Sequence, residues 1–247
     1  MTRLVAALAA LVALGCRRDP AITLRVAVGS DLVPAFEALG GEFTRDEGIG
    51  VAYEFGASGA LASQIAEGTA SRFDVFITAE TSQVGHLVSV GRCEDLSRTF
   101  AGFTTLVLVT ARNAPRADSV QNLSDPRYAR IAIMHPERTP YGRASVQVLN
   151  SLGMYDSLAP RIMIEDSARA ALDRVRSGAV QAAIVPRAVV TEGDSLAIPD
   201  DLYRPIEQVA VACTRDAARR EAATRLLQYL HEGDGKALLT SYGFQFP

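Results

Sequence analysis

Short runs of β-branched and other apolar residues alternate with segments of helical periodicity along most of this chain, and that alternation narrows the fold more than any other feature. The runs are Leu24–Val28, Val51–Phe55, Val75–Thr78, Leu106–Thr110, Ile131–Met134, Ile162–Ile164, Ala182–Val185 and Val209–Cys213. Between them, Pro34–Phe43, Ala60–Glu67, Ser82–Val90, Arg143–Leu152, Ala168–Arg176 and Ala217–His231 repeat apolar residues at helical spacing. A strand that is apolar on both faces needs cover on both, and helices between successive strands supply it, so the pattern predicts an α/β architecture with parallel or mixed sheets. Gly68, Gly153 and Gly178 stand just past three of the helical segments, where a left-handed terminating residue is wanted. The polar stretch 111–130, with Pro115 and Pro126, reads as a connection with a short turn.

Composition fits a folded chain with a substantial core: 48% of the 247 residues are hydrophobic and 21% charged. Once a leader is set aside, roughly 230 residues remain, enough for one large domain or two lobes of about a hundred each. Twenty-five cations are interspersed among 28 acids, without the basic footprint of a nucleic-acid binder. Lys236 is the single lysine, and arginine replaces lysine along the whole chain rather than at one anion site. The absence of tryptophan argues against aromatic sugar-stacking platforms.

Residues 1–16 run from a basic start at Arg3 through an apolar stretch, Leu4 to Gly15, to Cys16, with Arg17-Arg18-Asp19-Pro20 following. This stretch is too short to cross a bilayer, and its form is that of a secretory signal. Ala13-Leu14-Gly15-Cys16 resembles a bacterial lipobox. The resemblance implies a signal peptide over 1–16 and lipidation of Cys16; an ordinary cleaved signal with an incidental cysteine is the alternative. Either form of export puts Cys93 and Cys213 where disulfides persist, and a bridge between them fits that setting. His86, His135 and His231 are far apart in sequence, and no Cys or His pair has zinc-site spacing.

Four predicted strands end in a small polar or glycine-rich turn that opens a helix: Gly29-Ser30-Asp31, Gly56-Ala57-Ser58-Gly59, Pro140-Tyr141-Gly142 and Asp166-Ser167-Ala168. Free N–H groups and the positive end of the helix dipole make such turns suited to anions. In open α/β sheets they lie at the carboxyl ends of strands, where ligands bind. Taken singly, each turn is equally a structural cap.

Several segments together resemble the periplasmic molybdate/tungstate-binding proteins of ABC importers. In the first half these are Leu24-Arg-Val-Ala-Val-Gly-Ser30, Phe55-Gly-Ala-Ser58-Gly-Ala-Leu61-Ala-Ser-Gln-Ile65 and Phe73-Asp74-Val-Phe76-Ile-Thr-Ala79-Glu80. In the second they are Ile131-Ala-Ile-Met-His-Pro136, Pro140-Tyr141-Gly142-Arg143-Ala144, Glu165-Asp-Ser-Ala-Arg169 and Tyr242-Gly243-Phe244. The resemblance implies a two-lobed periplasmic-binding-protein fold, each lobe a mixed β-sheet flanked by helices and joined by two crossing hinge strands. Lobe 1 would be discontinuous, 22–104 plus 210–247, with 105–209 as lobe 2. It further implies capture of a tetrahedral oxyanion without catalysis or cofactor, and delivery to a permease with a separate ATPase. The protein would be a periplasmic or cell-surface monomer, held to the membrane only by its lipid anchor. Carried over by position, Ser30 and Ser58 would supply hydroxyl and N–H donors from lobe 1. Tyr141 and Ala168 would supply donors from lobe 2, with Asp31, Gly59 and Gly142 adjacent to the ligand.

Two positions depart from the family pattern. Pro186 stands where many members have a tyrosine, and it offers neither a hydroxyl nor an N–H. Asp31, beside Ser30, is expected to cap the helix through Pro34 with its oxygens turned from the ligand; a carboxylate facing the cavity would instead repel an anion. Other small anions (sulfate, phosphate, a phosphonate, an organic acid) are alternative ligands. An exported serine hydrolase built on Ser58 is the alternative of a different class, although Gly56-Ala57-Ser58-Gly59-Ala60 is not Gly-x-Ser-x-Gly.

Overall fold

A computed structural model describes residues 20–68, 72–94 and 99–246. The chain opens with β1 (Thr23–Gly29), α1 (Val33–Glu47), β2 (Gly50–Gly56), α2 (Ser58–Glu67), β3 (Val75–Thr78), α3 (Thr81–Ser89) and β4 (Thr99–Thr104). It continues with β5 (Leu106–Thr110), β6 (Ile131–Met134), α4 (Pro140–Ser151), α5 (Tyr155–Leu158), β7 (Ile162–Glu165), α6 (Ala168–Arg176), β8 (Ala182–Pro186) and β9 (Ser195–Ala197). It closes with β10 (Ile206–Ala212), α7 (Ala217–Tyr229), α8 (Gly233–Ser241) and β11 (Phe244–Gln245).

The strands form two sheets, ordered β11-β4-β10-β3-β1-β2 and β7-β6-β8-β5-β9. In the first, β1 lies parallel to both β2 and β3, and β10 runs antiparallel beside β3. The second repeats this plan: β6 is parallel to β7 and β8, and β5 is antiparallel beside β8. In each sheet the chain steps from the central parallel strand to one side and then crosses to the other, which makes β1 and β6 the switch strands. Crossings between the sheets fall at Thr104–Leu106 and just before Ile206, where β10 starts opposite Thr104.

Alternation along each switch strand feeds two cores. Leu24, Val26 and Val28 pack with Phe36, Leu39 and Phe43 of α1 and Leu226 and Leu227 of α7, while Ala27 turns to the other face with Leu61, Ile65 and Phe76. In the second sheet Ile131 and Ile133 meet Val148 and Leu149, and Ala132 meets Leu172 and Val175. Helices therefore cover both faces of both sheets, as the apolar runs require. The sheets also reach into each other: Ala188, just after β8, is buried in the first core, and Ala79, just after β3, packs on the second. Gly153 and Gly178 terminate α4 and α6 at φ 66° and 73°. Gly68, expected to do the same for α2, has φ −64° and terminates it in extended backbone.

Candidate functional site

The carboxyl ends of β1, β2 and β3 present Ser30, Ser58 and Glu80, and those of β6, β7 and β8 present the turns before Tyr141, Ala168 and Arg187. The two switch strands supply the pair that meets. Asp31 lies in the 3-10 turn Ser30–Leu32 that follows β1, and its Oδ2 accepts a hydrogen bond from the Tyr141 hydroxyl in the first turn of α4. Tyr141 is 2% exposed.

The Tyr141 and Ser58 hydroxyls are oriented from behind. The Gln208 Nε2 donates to the Tyr141 hydroxyl at 2.7 Å and to Thr104 Oγ1 at 3.2 Å, and Thr104 Oγ1 in turn donates to Tyr141 at 3.3 Å. With both lone pairs engaged, the phenol has one proton to give, and it points across to Asp31. On the first sheet, the Glu80 N–H donates to Thr78 Oγ1 at 2.9 Å, which donates to Ser58 Oγ at 2.7 Å. That bond leaves the Ser58 proton to be donated outward. A Cβ on Gly29 would stand 2.7 Å from Asp31 Oδ1 and 3.5 Å from Ser58 Oγ, so the carboxylate and this hydroxyl flank the same point at the end of β1. Desolvation pushes the Asp31 carboxyl above the usual carboxylate range, against the Tyr141 hydrogen bond and its own backbone, and the Glu80 charge adds to the rise. Desolvation first, and then the Asp31 charge, hold the Tyr141 phenol well above its ordinary value. Further out, Arg143 Nη2 reaches both Glu80 oxygens at 3.3 Å across the same gap.

Asp31 is thus not the helix cap that the sequence predicts. Leu32 stands at the N-cap of α1 and no side chain caps it. Pro34 explains why: it would be the third helical residue after an Asp31 cap, one of the two N–H donors such a carboxylate reaches, and it has none. The 3-10 turn instead swings Asp31 toward α4.

A family model of bacterial extracellular solute-binding proteins matches residues 24–245. The chain belongs to this family. Among its relatives, the molybdate-binding protein ModA of Rhodobacter capsulatus is 30% identical over 221 residues, covering 88% of this chain and 86% of that one. The ModA of Azotobacter vinelandii is 30% identical over 250 positions, covering 99% and 97%. The solved structure of the Azotobacter vinelandii periplasmic molybdate-binding protein superposes with a TM-score of 0.80 at 27% identity, over 91% of this chain and 99% of that one. The fold is the two-lobed solute-binding fold, each sheet with its helices being one lobe.

Among the residues singled out by sequence, the structure brings Ser58, Asp31 and Tyr141 to one junction, with Ser30 exposed beside them. Ala168 is the first residue of α6 and is buried; Ser167 caps that helix by accepting from the Ala170 N–H at 3.1 Å. Gly142 gives its N–H to Thr139 Oγ1 at 2.9 Å and is a packing residue, whereas Gly59 faces open space. Pro186 ends β8 and starts the turn that seats Ala188 in the first core. Cys93 and Cys213 form a disulfide behind the first sheet. Ser58 pairs with Thr78, and His135 accepts from the Glu137 N–H, so neither belongs to a hydrolytic pair, in keeping with a family that binds solutes. The leader and Cys16 lie outside the described residues. Sequence reading missed Thr78, Glu80, Thr104, Arg143 and Gln208. Gln208, next to Glu207 at the polar start of an apolar run, was the one signal in the sequence, and its full burial shows in the structure.

Proposed function

We propose that this chain captures molybdate, or the similarly sized tungstate, between its two lobes outside the cytoplasm and delivers it to the permease of an ABC importer. The observation that carries this reading is the convergence of Tyr141, after switch strand β6, with Ser30, after switch strand β1, and Ser58, after β2, where the Tyr141 and Ser58 hydroxyls are neutral donors held in place from behind. A dianion leaving water needs its hydration shell replaced, and fixed neutral dipoles do so at no reorganisation cost. Ser30, Ser58, Tyr141 and the Ala168 N–H are the donors of this site. Spaced for one radius, they leave a smaller oxyanion such as sulfate with long, misaligned bonds. The near full-length relatives named for molybdate binding support this ligand over other anions.

The lobe division of this reading, 22–104 with 210–247 for the first and 105–209 for the second, moves its second boundary back to Ile206, since β10 pairs with the first sheet from there, and the lobes close by a hinge at the two crossings. Cys16 becomes the lipidated first residue of the mature protein, a reading supported by a 26% identical relative named a substrate-binding lipoprotein in Bacillus subtilis. Two or more acyl chains then hold a monomer at the membrane next to its permease.

Thermal unfolding of residues 17–247 with molybdate, tungstate, sulfate and phosphate at matched ionic strength tests the ligand. A ligand at a thousand times its dissociation constant adds about 4 kcal/mol, which for a chain of this size raises the midpoint by roughly ten degrees. The expected result is a shift with molybdate and tungstate alone. A shift confined to phosphate or sulfate would replace the ligand, and no shift with any of the four would sink the reading.

A further inference from the structure

Asp31 is chemically out of keeping with its surroundings. The other side chains meeting at the junction are hydroxyls and one amide, the equipment of a site for anions, yet the group they surround is a carboxylate. Among the described residues no cation neutralises it. Arg143, on α4, spends its guanidinium on Glu80, and Arg187, in the turn after β8 that packs against α1, donates to the Val190 carbonyl. Glu80, at the start of α3, is a second negative group near it. Among the described residues, the side-chain donor that Asp31 receives is the Tyr141 hydroxyl.

That hydroxyl has a single proton, and since Gln208 and Thr104 occupy its lone pairs, that proton is the only bond it has left to offer. The proton can be given to Asp31 or to a bound anion, and not to both. A dianion set down beside the ionised carboxylate would also meet like-charge repulsion, weakly screened in a partly buried site. Binding therefore has to be an exchange in which the ligand takes the donor and the carboxylate leaves it.

We propose that Asp31 is a tethered anion that occupies the oxyanion's place between the lobes while the site is empty, competing with the ligand for Tyr141 and holding the lobes together until the ligand replaces it. The proposal rests on the oxyanion-binding reading above. It makes Asp31 the residue that sets the working affinity, weakening capture so that release to a permease is not blocked by an over-tight site. The backbone at Gly29 belongs to the device, since any Cβ there would strike the carboxylate.

The test uses the mature chain, with Asp31→Asn and Asp31→Ala, in calorimetric titration with molybdate and in small-angle scattering with and without it. Asn keeps the shape and removes the charge, so its affinity should rise at least tenfold over the parent. Ala removes the Tyr141 contact as well, so the affinity should again rise and the ligand-free radius of gyration should increase, returning to the parent value on adding molybdate. Folded variants that bind molybdate no more tightly than the parent overturn the proposal, and Asp31→Asn alone suffices if Asp31→Ala does not fold. Should parent and variants alike give no heat with molybdate, tungstate or sulfate, it is the oxyanion reading that fails, and the tethered anion falls with it.

Discussion

Gly142 carries no ligand chemistry, but the placing of Tyr141 depends on it. A Cβ at this position would lie 2.4 Å from the Met134 carbonyl oxygen and 2.5 Å from the His135 carbonyl, all of it backbone at the end of switch strand β6. The first turn of α4 can press against that strand end only because the residue is glycine. Thr139 then locks the turn, accepting the Gly142 N–H and donating its hydroxyl to the His135 carbonyl at 3.0 Å. Gly142→Ala is expected to cost about 1–3 kcal/mol, the usual range for overpacking where backbone cannot yield. It should also lower oxyanion affinity by displacing the Tyr141 hydroxyl from Gln208. Urea unfolding reads the first effect and titration with molybdate the second; an alanine variant of unchanged stability would show that α4 can retreat without loss. Thr104 and Gln208, by contrast, hold Tyr141 from the crossing segments, so the donor is positioned by the hinge as well as by its own helix.

At the scale of elements, the first lobe is assembled from both ends of the chain, since β10 and β11 close a sheet begun by β1 to β4. Chain separated by the whole second lobe must be brought together, and the Cys93–Cys213 disulfide, spanning 120 residues, ties the end of β10 to the loop after α3. A crosslink closing so long a loop restricts the unfolded chain strongly, and replacing both cysteines with alanine should cost about 2–4 kcal/mol. Matching denaturation midpoints for the oxidised parent and the double variant would show that the bridge is not stabilising. The bridge pairing was consistent with the sequence because export and cysteine count agreed, whereas some of the elements around it were not legible. β3, β5, β6 and β8 announced themselves through apolar runs, the signature of strands covered on both faces, and β1 did so despite Arg25. β10 was read only from Val209, because Glu207 and Gln208 break its apolar pattern, and the latter is buried for a reason that only the Tyr141 contact reveals. β4, rich in threonine and with Gly102 at φ 113°, and the short edge strands β9 and β11 carry too little periodicity to be seen. The site divided in the same way. Ser30, Ser58, Tyr141 and Ala168 followed from strand-turn-helix junctions and a family resemblance, both local in sequence. Asp31 was misassigned because its partner is 110 residues away, and nothing near it in the chain distinguishes a cap from a cleft-facing acid.

For the molecule as a whole, the question is what resists opening. Besides the Asp31–Tyr141 bond, contacts of other kinds cross the gap. Ala188 and Ala79 pack apolar surface between the lobes, each lobe's core accepting a residue from the other. At the rim, Arg143 grips Glu80 with both partners partly exposed, at 47% and 17%. Apolar packing of this kind persists through small rotations, but the Arg143–Glu80 pair must separate when the lobes part. Exposed ion pairs contribute about 0.5–1 kcal/mol at most, so the pair acts as a brake rather than a lock. Arg143→Gln should therefore speed molybdate release about two- to fivefold in stopped-flow displacement at low salt, with the association rate little changed. Because an exposed pair is screened, the difference between variant and parent should shrink as ionic strength rises past a Debye length of about 8–10 Å. A release rate unaltered at low salt would place the barrier to opening entirely at the hinge. In that case Thr104 and Gln208, which couple Tyr141 to the crossing segments, become the groups that time release.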